Sequence, residues 1–373
     1  MPLSDGRLRL LLIAPTLEII GGQAVQASRL LERLRAEHSL EVSFLPINPR
    51  LPAFIRKLKY VRTVVNFLVF AILLIRRAPS CDVMHVFTAA YSSYFLWTVP
   101  ATVAGKLLGK KVIVNYRDGQ GGDHLRRSRL AVATLRLPDA VVAPSDYLVD
   151  VFAGFGLRAV SIPNFIDAAR FRFRDRAPLR PVFMTNRGLE PLYNVGCVLR
   201  AFALIQRSYP DASLTVAHDG PCRRELEALA AELQLRNVRF LGKVPPERIA
   251  DLYDEADIYL TSPNVDNMPG SLLECFASGL PVIATKVGGI PYIVADGVTG
   301  FLVPPNDHAA LAERALMLLE NPAVARQIAA RARAECAARY VWDAVRPQWL
   351  RLYEQLSGKT LAADVTATRL SSR

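Results

Sequence analysis

The sequence predicts an α/β protein made of two doubly wound domains. Strand and helix signals alternate along the chain, and residues 266–305 show this alternation within a short stretch. A length of 373 residues exceeds one comfortable hydrophobic core, so we expect two domains of about 150 to 200 residues each. The apolar content of 51% is enough to fill both cores.

Segment 266–305 predicts a loop that opens a helix and directs two acids toward one cleft. Asp266 and Glu274 are separated by Pro269 and Gly270, which break the chain between them. The first acid therefore belongs to the loop and the second to the following helix. Ser271 is the expected N-cap of that helix, because its hydroxyl can accept a hydrogen bond from an unpaired backbone N–H.

The same segment continues with a helix end, a strand and a glycine pair. Gly279 is expected to end the helix, and residues 281–285, PVIAT, predict a short buried strand. Gly288 and Gly289 follow, and we expect their lack of side chains to let the backbone approach a ligand closely. This order of elements is typical of a phosphate-binding unit.

These motifs resemble the donor-binding segment of a known enzyme family. The pattern is similar to that of retaining GT-B glycosyltransferases of family 4, the glycosyl transferases group 1. It consists of an acid, seven residues and a Glu, followed by ASGLPVIATKVGGIP and DGVTGFLVPP. The resemblance implies GT-B architecture: two Rossmann-like domains that face each other across a cleft, with a C-terminal helix returning to the first. It also implies that Glu274 binds a nucleotide ribose and Asp266 holds sugar hydroxyls, with Gly270 and Ser271 in the same donor site.

Both acid assignments have a chemical rationale. A carboxylate accepts hydrogen bonds from two vicinal hydroxyls at once, and charge-assisted hydrogen bonds are stronger than neutral ones. Family members usually carry Glu at the first position, so Asp266 is one methylene shorter and alters the room for the sugar. Taken singly, Glu274 could decorate an exposed helix and Asp266 could form a turn, but the whole string argues against that interpretation.

The resemblance covers nearly the whole chain and sets the expected domain limits. Residues 160–167, VSIPNFID, match a P-N-x-x-D element near the hinge of the family. We therefore expect an acceptor-side domain over 1–168, a nucleotide-sugar domain over 169–338 and a helix over 339–356 that crosses back. Residues 357–373 have little to bury and are expected to be disordered.

The first domain is predicted to begin with a buried strand, a glycine pair and a helix. The strand is expected over 8–14, LRLLLIA, and the helix over 23–35. Gly21 and Gly22 between them suit a turn at which a phosphate or an acceptor approaches the backbone. A plain tight turn explains the pair equally well, and the resemblance places it at the interdomain cleft.

Residues 56–77 combine an apolar run with basic flanks. The run from Thr63 to Ile75 is shorter than the roughly 20 helical residues that cross a bilayer. Two interpretations stay open: an interfacial helix on an anionic membrane, or a buried helix with solvated ends. The flanking basic residues are Arg56, Lys57, Lys59, Arg62, Arg76 and Arg77.

A departure from the family follows the predicted strand KKVIVNY. Arg117 takes the position at which the family often has a His that meets the donor sugar. Arg cannot accept a proton, but its charge can neutralise a phosphate or an acceptor carboxylate.

His85, at the end of another predicted strand, is interpreted as a core histidine. The cluster Arg126, Arg127 and Arg129 could bind an anionic acceptor, although a solvated charged face explains it better.

The family places a basic pair, Arg and Lys, where the donor diphosphate binds. Arg187 follows the predicted strand 182–185 and matches the first member, whereas Tyr193 or Asn194 stands where Lys is expected. Either a helix N-terminus and backbone amides supply the missing charge, or the donor binds less tightly. Three other basic residues could replace the Lys: Arg223, Arg224 and Lys243.

The turn after the predicted strand 238–242 resembles the loop whose backbone reads the nucleobase in this family. Gly242 and Lys243 form this turn. The resemblance therefore assigns both residues to the donor site.

Composition limits the partners without choosing one. The chain carries 46 basic and 34 acidic side chains, a net charge of +12, which favours nucleoside diphosphates, acidic lipids or nucleic acid. Nucleic acid is not expected, because no stacking motif accompanies the basic runs.

The five cysteines are widely spaced without a C-x-x-C pair, which indicates a reducing compartment. No secretory signal is evident, so we expect a cytoplasmic protein, peripheral on the membrane if residues 56–77 bind lipid.

The resemblance also implies the function. We expect retaining transfer of a hexose-type sugar from a nucleotide-diphosphate sugar to a sugar or lipid-linked acceptor, as in polysaccharide synthesis. Asp266, Arg117 and Arg187 are the expected catalytic residues, acting by positioning and charge stabilisation. No cofactor and no metal are expected, because the family lets the leaving diphosphate take the acceptor proton. The alternative is a catalytically silent sugar-nucleotide-binding or scaffold protein, suggested by the departures at Asp266, at Arg117 and at Tyr193 and Asn194.

Overall fold

The chain forms two compact units in a computed structural model that describes residues 7–16, 22–49, 59–176 and 178–361. Unit 1 comprises residues 1–162 and 346–373, and unit 2 comprises residues 163–345. Each unit contains a parallel sheet of six strands with helices between successive strands. The predicted α/β class is confirmed.

Unit 1 is built on strands whose order in the sheet is 2-1-3-4-5-6. The strands are β1 (Leu8–Ala14), β2 (Leu40–Pro46), β3 (Val83–Thr88), β4 (Lys111–Tyr116), β5 (Ala140–Ala143) and β6 (Val160–Ser161). The helices are α1 (Gly22–Arg35), α2 (Lys59–Arg77), α3 (Val99–Leu107), α4 (Gly121–Arg127), α5 (Arg129–Thr134) and α6 (Asp146–Ala153). Strand β3 is buried along its whole length, as expected for a parallel strand covered on both faces.

Unit 2 repeats this architecture with the strand order 12-11-10-7-8-9. Its strands are β7 (Val182–Thr185), β8 (Ser213–Val216), β9 (Val238–Phe240), β10 (Ile258–Thr261), β11 (Val282–Thr285) and β12 (Phe301–Val303). Its helices are α7 (Val195–Ser208), α8 (Arg223–Glu232), α9 (Ile249–Glu255), α10 (Gly270–Ser278), α11 (His308–Glu320) and α12 (Pro322–Arg339). The strand order reverses between β7 and β10, and doubly wound sheets bind ligands beyond the carboxyl ends of strands at such a point.

The last helix, α13 (Trp342–Ser357), returns the chain to unit 1, as predicted. Arg346 forms a bidentate ion pair with Glu37, with both N–O distances at 2.6 Å. Leu361 beyond the helix is buried, and Lys359 Nζ lies 2.8 Å from Asp82 Oδ2. The prediction of disorder from residue 357 is therefore wrong for residues 357–361, while residues 362–373 lie outside the described part of the chain.

The chain enters unit 2 after Ile162 and leaves it after Val345, whereas the sequence suggested limits at 168 and 338. The shift at the entry has a clear physical cause. Asn164 Nδ2 donates to the Met268 carbonyl (2.9 Å), and the Ile166 N–H donates to the Tyr340 carbonyl (2.9 Å). The P-N-x-x-D element is thus hydrogen-bonded into unit 2.

Helix α2 has one buried face and one exposed apolar face. Phe70 and Leu74 belong to the core of unit 1. The opposite face exposes an apolar stripe with helical spacing, formed by Val61, Val64, Leu68, Ile72 and Ile75. Within the described residues, no helix has the length and apolar character needed to cross a bilayer.

Candidate functional site

Two loops of unit 2 follow the strands that flank the reversal in strand order. Asn186 and Arg187 come directly after β7, and Asp266 lies in the loop between β10 and α10. Arg187 Nη2 donates to Asp266 Oδ2 (2.5 Å). Asn186 Nδ2 donates to the Tyr253 hydroxyl (2.7 Å), which in turn donates to Glu274 Oε2 (3.0 Å). Arg187 is therefore bonded directly to Asp266, and the preceding residue, Asn186, is linked to Glu274 through Tyr253.

Arg187 is held between a carboxylate and an aromatic ring. Its side chain is 14% exposed and that of Asp266 is 11% exposed, so the ion pair is largely removed from solvent. Burial raises the pKa of the Asp266 carboxyl, and the charge of Arg187 with the N–H of Asn267 offsets part of that rise. The guanidinium carbon of Arg187 lies 4.3 Å from the centre of the Tyr193 ring. Tyr193, one of the two positions at which the resemblance led us to expect a Lys, thus packs against the Arg187 guanidinium.

Helix α10 begins two residues earlier than predicted, at Gly270 instead of Leu272. Its N-cap residue is Pro269, whose backbone is extended and which provides no side-chain cap. Gly270 is the first helical residue and Ser271, which is buried, is the second. The prediction that Ser271 caps the helix is therefore wrong. Gly279 ends the helix with φ +67°, as predicted.

The glycine pair at 288 and 289 approaches protein backbone. A Cβ on Gly288 would lie 2.0 Å from the Asp266 carbonyl oxygen, and one on Gly289 would lie 1.9 Å from that of Asn267. The Gly289 N–H donates to the Asp266 carbonyl (3.1 Å). The close approach expected toward a ligand is thus made to the loop that carries Asp266, and it fixes that loop against its neighbour.

The predicted base-reading turn follows β9. Gly242 is buried with φ +71°, a conformation that favours glycine, and Lys243 beside it is exposed. Arg223 Nη2 donates to the Phe240 carbonyl (3.2 Å), and its Nε donates to Glu227 (2.7 Å). Arg223 therefore supports the turn.

The unit 1 candidates lie near the start of α1 and the end of β4. Gly22 is the first residue of α1 and is exposed, whereas Gly21 lies outside the described residues. Arg117 directly follows β4, and its guanidinium carbon lies 4.9 Å from the centre of the Phe87 ring. Arg117 Nη1 also donates to Asn115 Oδ1 (3.3 Å). Arg117 is thus braced by neighbouring strands.

His85 is a core histidine, as the sequence suggested. Its Nε2 accepts from Asn115 Nδ2 (3.1 Å), so its protonated Nδ1 donates to the Tyr353 hydroxyl oxygen on α13 (2.9 Å). Burial lowers the pKa of His85 to about 3. The ring therefore stays neutral and has both nitrogens satisfied.

Two doubly wound units in one chain, with a helix that returns to the first, define the GT-B class of fold. Anabaena HepE in complex with UDP-glucose has a TM-score of 0.75 at 19% identity, covering 94% of this chain and 100% of that one. The apo lipopolysaccharide outer core galactosyltransferase WaaB has a TM-score of 0.66 at 15% identity, with 94% and 100% coverage. At these identities the likeness establishes the fold alone, and it confirms the predicted one.

Residues 171–335, which lie within unit 2, match the family model of glycosyl transferases group 1. Phosphatidyl-myo-inositol mannosyltransferase of Mycolicibacterium smegmatis is 31% identical over 221 residues, which are 57% of this chain and 55% of the relative. N-acetyl-alpha-D-glucosaminyl L-malate synthase of Bacillus anthracis is 29% identical over 203 residues, 52% of each. The chain spans about half the length of these curated relatives. The resemblance seen in the sequence is confirmed.

Proposed function

We propose that this protein is a retaining glycosyltransferase that moves a hexose-type sugar from a nucleotide-diphosphate sugar to an acceptor hydroxyl without a metal ion. The observation that carries the proposal is the pairing of Asn186 and Arg187 with the two acids at the strand-order reversal of unit 2. The complex of HepE with UDP-glucose supports a nucleotide-sugar donor. The name of the mannosyltransferase relative supports a lipid-linked acceptor.

The donor-site residues divide the work by their chemistry. Glu274 accepts hydrogen bonds from the ribose hydroxyls, and Asp266 accepts them from the transferred sugar. Arg187 faces the diphosphate and stabilises the charge that develops as the bond to the sugar breaks. The leaving diphosphate takes the proton of the acceptor hydroxyl, so the protein supplies position and charge. The remaining donor-site residues are Gly270, Ser271, Gly242 and Lys243.

Unit 1 supplies the acceptor side in this proposal. The acceptor approaches the chain at Gly22, the first residue of α1, and Arg117 neutralises a phosphate or carboxylate near the reacting hydroxyl. A transfer assay with a panel of nucleotide sugars tests the whole reaction, and binding without turnover in every case would favour a silent sugar-nucleotide-binding protein. Full activity in excess chelator would support the metal-free mechanism.

Replacing Glu274 with Gln tests the ribose assignment. The substitution removes the charge of the acceptor oxygens, so the affinity for a nucleoside diphosphate should fall by about 1 to 3 kcal/mol. Isothermal calorimetry measures this loss, which should be smaller for the 2′-deoxy analogue. Glu232→Gln, at an exposed position of α8, is the matched control and should bind normally. Unchanged affinity in Glu274→Gln would refute the assignment.

We further propose that the exposed face of α2 binds an anionic membrane, where the protein meets its acceptor. The stripe of five apolar side chains is partly exposed, from 48% at Val61 to 67% at Ile75. Arg62, Arg76 and Arg77 are exposed at its two ends and complement acidic lipid headgroups. Arg56 and Lys57, which the sequence also assigned to this flank, lie outside the described residues.

Vesicle binding tests this membrane surface. The protein should co-sediment with phosphatidylserine vesicles at low salt and be released at high salt, since each basic residue contributes about 1 kcal/mol near an anionic surface. The double variant Leu68→Gln, Ile72→Gln and the double variant Arg62→Glu, Arg76→Glu should both stay in solution and still bind nucleotide. Val324→Gln on α12 should pellet like the wild type. Pelleting without vesicles would indicate self-association through this face, and no pelleting at all would favour a soluble acceptor.

A further inference from the structure

A hydrogen-bonded chain of three side chains ends on the Glu274 carboxylate. The Tyr259 hydroxyl donates to Asn186 Oδ1 (2.7 Å), and Asn186 Nδ2 donates to the Tyr253 hydroxyl oxygen (2.7 Å). The Tyr253 hydroxyl then donates to Glu274 Oε2 (3.0 Å). These four residues come from β10, the end of β7, α9 and α10, so the chain links the elements that surround the site.

The direction of every bond in this chain follows from the charge at its end. A carboxylate ion can only accept hydrogen bonds, so the Tyr253 hydroxyl donates a hydrogen bond to Glu274. The oxygen of Tyr253 then accepts from the amide nitrogen of Asn186, and the amide oxygen accepts from Tyr259. Each tyrosine hydroxyl therefore donates one hydrogen bond, and the Asn186 amide accepts one and donates one.

Burial keeps both tyrosines of this hydrogen-bonded chain protonated. The side chains of Tyr253 and Tyr259 are fully buried, and their burial raises the pKa of both phenols. They consequently remain donors over the whole working pH range. On α10, Glu274 is half-buried while residues 271–273 and 275–278 are buried, so the carboxylate is the part of this segment that reaches the surface of the site.

We infer that Tyr253 is a positioning residue for Glu274, and that Asn186 and Tyr259 hold Tyr253 in place. The inference rests on the proposed function, because it takes Glu274 as the residue that binds the ribose. A carboxylate with one oxygen held from inside the protein loses little side-chain freedom when it binds a ligand. The chain therefore acts on donor affinity and selectivity, and it leaves the chemical step nearly unchanged.

Tyr253→Phe tests the inference, since the substitution keeps the ring and removes the hydroxyl. We expect the donor KM and the dissociation constant of the nucleoside diphosphate to rise about five- to tenfold, the net effect of one ordinary hydrogen bond, with kcat within about twofold. The preference for the nucleoside diphosphate over its 2′-deoxy analogue should fall. A general loosening of unit 2 would weaken both ligands equally and would overturn the inference.

Two further measurements separate the inference from the proposed function. In the Glu274→Gln background, Tyr253→Phe should change affinity by less than about twofold, because coupled residues give non-additive losses. If the loss of affinity in the double variant equals the product of the two single-variant losses, Tyr253 acts independently of Glu274. No loss in Glu274→Gln alone would refute the ribose assignment itself. Tyr94→Phe in unit 1, which removes a buried hydroxyl bonded to Thr134 (2.8 Å), is the matched control and should leave both affinities unchanged.

Discussion

Arg187→Ala is expected to remove most transfer activity and to lower the free energy of unfolding of unit 2 by about 3 kcal/mol, because it leaves the largely buried Asp266 carboxylate without its cation. The loss of activity should exceed that of Ala at any other basic residue of unit 2. Transfer rates and thermal unfolding, measured on the same preparations, check both parts.

A compensated variant separates the loss of activity from the loss of stability. In Arg187→Met, Asp266→Asn the uncompensated charge is gone, so stability should recover while activity stays low. Arg187→Lys keeps the charge and should retain more activity than Ala. A larger activity loss at Arg223, Arg224 or Lys243 than at Arg187 would mean that another cation binds the diphosphate.

Asp257→Asn is expected to destabilise unit 2 by about 2 to 4 kcal/mol, because a fully buried carboxylate there is paired with two arginines. Asp257 Oδ1 accepts from Arg174 and, at 2.9 Å, from Arg180 Nη2, and its Oδ2 accepts from the Arg180 N–H (2.6 Å). These bonds attach the segment before β7 to the start of β10. Chemical denaturation of the variant and the wild type measures the difference.

The same carboxylate makes unit 2 sensitive to acid. Burial alone would raise the pKa of Asp257, but hydrogen bonds from Arg180 and the charge of Arg174 outweigh it and lower the pKa. A lowered folded-state pKa contributes stability above the unfolded value of about 3.9, and that contribution is lost as the pH falls through the folded value. The acid-induced loss of stability should therefore be smaller in Asp257→Asn. Asp175→Asn, which removes an exposed ion pair with Arg326 (3.2 Å), should change stability by less than about 1 kcal/mol.

Local patterns were sufficient to predict most of the elements. Three predicted features depend on nearby residues, and all three are observed. They are the strand at 282–285, the helix end at Gly279 and the parallel class of the sheets. The cap at Ser271 was wrong because the break at Pro269 itself starts the helix. Gly288 was expected to approach a ligand, but it approaches the Asp266 carbonyl. A glycine indicates that another group comes close to the backbone, and it does not identify that group.

The polar contacts of the site could not be predicted. Asn186 lies far from Tyr253 and Tyr259 in sequence, and it meets them because β7 pairs with β10 and α9 directly precedes β10. Nothing in a single sequence gives that pairing. Tyr193 was recognised only as a missing Lys, and its contact with Arg187 required the position of both side chains.

Unit 1 is formed by two separate segments of the chain, and this sets the order in which the two units can be completed during synthesis. Unit 2 is one continuous segment, so a ribosome that has reached Val345 has made all of it. Unit 1 still lacks α13, whose Tyr353 bonds to the buried His85. At about 5 to 20 residues per second, the nascent first half waits roughly 10 to 40 s for that helix. The second unit in the sequence is therefore the first to be complete, and the interval exposes the unfinished core of unit 1 to chaperones and proteases.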